Sequence, residues 1–140
     1  MSMTYKGSVD GSHQKYEEWL VNTSQTITAG SLVVANTGKL TAAAAGFSTN
    51  SIVGVAVSAI TTGGSVTADD KILVDVNPNS IYEMTYTASD PTQGTAYDIS
   101  NAITLNQDDT SPAGIKVLKV VDTTAKRCNV KVMPAYHLYG

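Results

Sequence analysis

Two histidines, one cysteine and two adjacent acidic pairs are the residues of this 140-residue chain best suited to chemistry. His13 and His137 lie in opposite terminal segments. A histidine acts as a general base only within hydrogen-bond reach of a nucleophile, and no local pattern supplies one. No G-x-S-x-G, H-E-x-x-H, P-loop or G-x-G-x-x-G sequence occurs. Surface or interface packing is therefore the expectation for both histidines. Asp69-Asp70 and Asp108-Asp109 lack the spacing that converges several oxygens on calcium. Asp108-Asp109, with Asn106 and Thr110, reads as a solvated loop rather than a weak ion site. Cys128, the only cysteine, excludes an internal disulfide, a metal cluster or a redox pair. It alternates with Val130 and Val132, which predicts a buried core thiol. No catalytic, cofactor or metal residue is assigned, and the chain reads as a non-enzyme.

The remaining feature with functional weight is the placement of the aromatics. Tyr5, Tyr16 and the single Trp19 fall in the first twenty residues, and Tyr136 and Tyr139 in the last five. Only Phe47, Tyr82, Tyr86 and Tyr97 lie between. Aromatic side chains dominate interface energetics, and termini usually fray. Aromatic termini therefore predict ends that are tied down, either on the domain's own surface or on a neighbouring subunit. The candidate interface residues are Tyr5, Tyr16, Trp19, Leu20, Tyr136, His137 and Tyr139.

The elements that must position these residues read as β. Hydrophobic residues make up 42% and charged residues 15%, which argues against disorder. The net charge of −3 gives no basic field for nucleic acid and no polybasic stretch for a membrane. The longest apolar run, Ile52 to Ile60, is far shorter than the ~20 residues of a membrane-spanning helix. The N-terminus shows no hydrophobic signal region. Tyr16, Trp19 and Leu20 sit at i, i+3 and i+4, a helical spacing, although an extended segment fits too. From residue 25 onward, short Val/Ile/Thr-rich runs alternate with turns. In 51–60 one face carries Val53, Val55 and Val57. In 71–76, Ile72, Val74 and Val76 point inward and Asp75 outward. Tyr82, Met84 and Tyr86 share one face of 80–87. A hairpin over 114–132 closes the chain, with Lys126-Arg127 and Lys131 on the polar side of an edge strand. The expected architecture is a small β-barrel or sandwich of about eight short strands, with an N-terminal arm (1–24), a β domain (25–132) and a C-terminal tail (133–140).

Several stretches together resemble head decoration (cement) proteins of tailed bacteriophages. They are Lys6-Gly7-Ser8-Val9-Asp10-Gly11, Ile27-Thr28-Ala29-Gly30-Ser31-Leu32-Val33, Gly38-Lys39-Leu40, Ile52-Val53-Gly54-Val55-Ala56, Gly94-Thr95-Ala96-Tyr97-Asp98-Ile99 and the closing hairpin. The resemblance implies a β-barrel or β-tulip-like structural protein on the outer surface of a mature capsid. It implies the major capsid protein and neighbouring copies, often as trimers, as partners, and no catalytic residues or cofactor. The expected site is the virion exterior, after synthesis in the host cytoplasm. Residues 1–24 and 133–140 are expected to make the contacts, so that deleting either weakens capsid binding and leaves the body folded. The competing expectation is a receptor- or carbohydrate-binding β module of a phage tail or cell surface, for which the loops offer few aromatics.

Overall fold

The structure, a computed structural model, describes residues 2–140. Among them are thirteen strands and no helix: β1 (Thr4–Ser8), β2 (Tyr16–Leu20), β3 (Thr26–Ile27), β4 (Leu32–Asn36), β5 (Lys39–Ala42), β6 (Ile52–Ala56), β7 (Ile60–Thr61), β8 (Lys71–Asp75), β9 (Ser80–Tyr86), β10 (Ala96–Asn101), β11 (Thr104–Asn106), β12 (Ile115–Asp122) and β13 (Arg127–Val132). The expected all-β class is met.

One sheet runs β1-β9-β11-β10-β12-β13, and β13 pairs back onto β9. Strands β9, β11, β10, β12 and β13 thus close into a five-stranded barrel, which removes its free edges. Its lining follows from period-2 alternation. In β9, Ser80, Tyr82, Met84 and Tyr86 are buried and Ile81, Glu83 and Thr85 are half-exposed. Met84, Ile99, Leu105, Ile115, Val117 and Cys128 are fully buried in the same cluster. A second sheet runs β2-β8-β6-β4-β5, and β3 pairs only with β7. A parallel bridge between Val21 and Leu40 brings the two edges of the second sheet together. Val21, Ile27, Val33, Leu40, Val53, Ile72 and Val74 fill a separate core beneath it.

β6 has both faces covered. Ile52 and Val55 join the barrel core, whereas Val53 and Ala56 join the second core. The shared face expected for Val53, Val55 and Val57 is therefore corrected. The register of β4 against β6 slips at this point, with Val33 opposite Gly54 and Val34 opposite Ile52. The slip reverses the alternation, as a bulge does. Gly54 sits at φ +152°, and a Cβ there would lie 1.8 Å from the Asp75 carbonyl oxygen. Only glycine allows that approach.

Two further expectations are corrected. Residues 1–24 are extended but do not form an arm: β1 adds antiparallel to β9, and β2 adds antiparallel to β8. Of the two readings of Tyr16, Trp19 and Leu20, the extended one holds, in a full ladder with β8. β13 is not an edge strand, since it pairs with both β12 and β9.

Candidate functional site

The tail after β13 crosses from the barrel to the second sheet. The Met133 amide donates to the Gly114 carbonyl, Ile52 N–H donates to Tyr136, and Leu138 N–H donates to Ile52. The Tyr136 ring packs edge-on against Phe47 at 5.5 Å. These contacts place His137 inside the protein, 2% exposed, instead of at a surface or interface as expected. Its Nδ1 accepts the Tyr139 N–H at 3.1 Å. Burial, with the nearby Lys131 charge, pushes its pKa down to about 4, against an opposing pull from Asp75.

His137 lines a cavity of about 10 Å³ with Gly54, Asp75, Asn77, Ser80 and Tyr82. That is room for about one water molecule and no substrate. Asp75, expected to point outward, is 1% exposed. Its Oδ2 accepts Ser80 Oγ and Tyr82 OH, each at 2.7 Å. Its Oδ1 accepts the backbone N–H groups of Lys15 and Asn77, each at 3.1 Å. Burial and the bond to Asp75 push the Tyr82 phenol well above its usual pKa. Gln14 Nε2 donates to Tyr82 OH at 3.0 Å. A buried carboxyl so fully hydrogen-bonded is a fastener. It joins the N-terminal segment, β8 and β9. Chain spacing gave no warning of it, because Asp75 occupies a position that strict alternation assigns to solvent.

The terminal aromatics divide into those spent on the chain's own fold and those left outside. Tyr5 packs edge-on against Tyr82 at 5.5 Å. Trp19 packs half-buried against the second core. Tyr139 is 40% exposed, although its hydroxyl donates to Glu17 at 2.6 Å. Tyr16 is 52% exposed and Leu20 39%. His13 is exposed.

Tyr16 and Leu20 mark a surface that the sequence reading noticed only in part. Directly paired residues of an antiparallel sheet share a face. Leu73 lies opposite Glu18, and Leu20 opposite Lys71. The Val57 N–H donates to the Leu73 carbonyl, which carries the row onward beyond β6. Leu73 is 42% and Val57 41% exposed. Tyr16, Leu20, Val57 and Leu73 thus lie on one face of the second sheet, where the Lys71–Glu18 ion pair, at 3.4 Å, crosses between them. The backbone of β2 is open at its start, before the Val21–Leu40 bridge covers its end. Val76 N–H bonds to Lys15 O, and Val21 N–H to Asp70 O, so odd-numbered residues face β8. The peptide groups of Tyr16 and Glu18 therefore face away from the sheet. An apolar row beside an open strand edge is a docking surface in its chemistry.

Among the described residues, no group of three or more His, Cys, Asp or Glu side chains is arranged to hold a metal ion. No known family model matches the chain, and no curated protein matches it.

Proposed function

We propose that the protein is a structural binding module of a virion. In this reading it docks on the outside of a tailed-phage capsid and holds the shell in its expanded form. The observation that carries the reading is the exposed row Tyr16, Leu20, Leu73 and Val57 on a rigid, doubly cored β scaffold. The resemblance to cement proteins supplies the partner, the major capsid protein, with neighbouring copies of the same chain beside it. A ligand that binds the expanded shell better than the compact one shifts the equilibrium toward expansion. Many copies on one lattice add their effects. The docking face differs from the expected one: Tyr16 and Leu20 remain in it, Tyr5, Trp19, Tyr136 and His137 support the fold, and Tyr139 stays exposed but bonded to Glu17, outside the row. The test is co-sedimentation of the purified protein with expanded, undecorated heads. Saturable binding lost in Tyr16→Lys/Leu73→Asp supports the reading, and absence of binding by the unaltered protein overturns it.

A further inference from the structure

The β12–β13 hairpin carries a second surface of different chemistry. Ile115 and Val117 on β12, and Val130 on β13, are buried in the barrel. Alternation turns Lys116 and Lys131 to the outside, where they lie directly opposite one another. Lys119, exposed, lies opposite Asn129 on the same hairpin. Like charges directly opposite in a sheet repel. Burial, with the Lys116 charge, lowers the Lys131 pKa. The ion pairs among the described residues are Lys6–Glu83, Lys71–Glu18 and Arg127–Glu83. They leave Lys116, Lys119 and Lys131 without a carboxylate partner. Lys131 Nζ instead donates to the Val132 carbonyl. A chain of net charge −3 thus concentrates three of its nine cations, unneutralised, on one hairpin face.

We infer that this face docks a carboxylate-rich protein surface. The repulsion between Lys116 and Lys131 persists in the free protein and is relieved when acidic side chains lie across the pair. Protein carboxylates are favoured over nucleic-acid phosphates. The patch has no arginine fork for bidentate phosphate contact, and Arg127, the nearest guanidinium, is engaged with Glu83. It also offers no aromatic platform for bases. The surface is distinct from the apolar row on β2, β6 and β8, and the inference does not depend on the capsid reading.

The test uses the full-length, isotope-labelled protein titrated with poly-L-glutamate and, separately, with duplex DNA. The expected result is a set of NMR shifts centred on Lys116, Lys119 and Lys131, with Lys6, Lys39 and Lys71 nearly unmoved. Affinity should fall about tenfold between 0.1 and 1 M salt, as the Debye length shrinks from about 10 to about 3 Å. Lys116→Gln/Lys131→Gln should lose the response while keeping or raising its thermal midpoint, because repulsion is removed. Shifts spread evenly over all lysines, or an unchanged response in that variant, overturn the inference. Tighter binding of DNA than of poly-glutamate also overturns it, in favour of a nucleic-acid surface.

Discussion

His137 and Asp75 show how single positions decide this fold. His137 is held neutral in the protein by burial, with a pKa of about 4 against 6.5 in the unfolded chain. Between those values the unfolded state binds a proton that the folded state refuses. Stability is therefore complete above pH 6.5 and falls as pH drops toward 4, by up to about 3 kcal/mol from this group. Urea unfolding at pH 7 and pH 4.5 measures it, and the fall should shrink in His137→Gln. Asp75→Ala removes the acceptor from two side-chain and two backbone donors at once. It should cost about 3 kcal/mol or more, against about 1 for Tyr82→Phe, because orphaned buried donors are expensive. Equal costs for the two variants contradict the fastener. Cys128 is fully buried and its thiol is pushed up to about 12 by burial and the Glu83 charge. It should resist thiol reagents in native protein and react on unfolding.

At the scale of elements, the two chain ends belong to the body. Removing residues 1–24 strips β1 from β9 and β2 from β8. Removing 133–140 uncovers Phe47 and opens the Asp75 cavity. Both truncations should lower the thermal midpoint, read by circular dichroism. A truncation that leaves it unchanged restores the picture of separable arms. Much of the strand pattern was legible in the chain. The alternation of Tyr82, Met84 and Tyr86 and the 114–132 hairpin follow from period 2 and turn residues. What escaped has physical causes. The bulge at Gly54 inverts the side-chain phase after Val53, so Val57 emerges to solvent. The burial of Asp75 depends on donors from residues 15, 77, 80 and 82, and convergence of that kind has no sequence period. The docking row was visible only as Tyr16 and Leu20. Leu73 and Val57 joined it through register, which spacing along one strand cannot encode.

At the scale of the whole molecule, a closed barrel and a second, separately cored sheet present two surfaces of opposite character. One is the apolar row on β2, β6 and β8, and the other is the lysine face of β12–β13. The stabilising interactions lie inside, so either surface can be altered without unfolding the chain. Tyr16→Lys/Leu73→Asp replaces half-exposed side chains and should cost about 1 kcal/mol per site, because the new carboxylate lies opposite Glu18 and Gln14 loses the Tyr16 hydroxyl; circular dichroism checks that the variant is folded. The most direct measurement is the number of copies of this variant and of the unaltered protein that co-sediment with expanded, undecorated heads. The proposed function predicts saturation by the unaltered protein at a lattice stoichiometry and little binding by the folded variant. Equal binding by both would place the docking surface elsewhere, and no binding by either would contradict the role in the capsid.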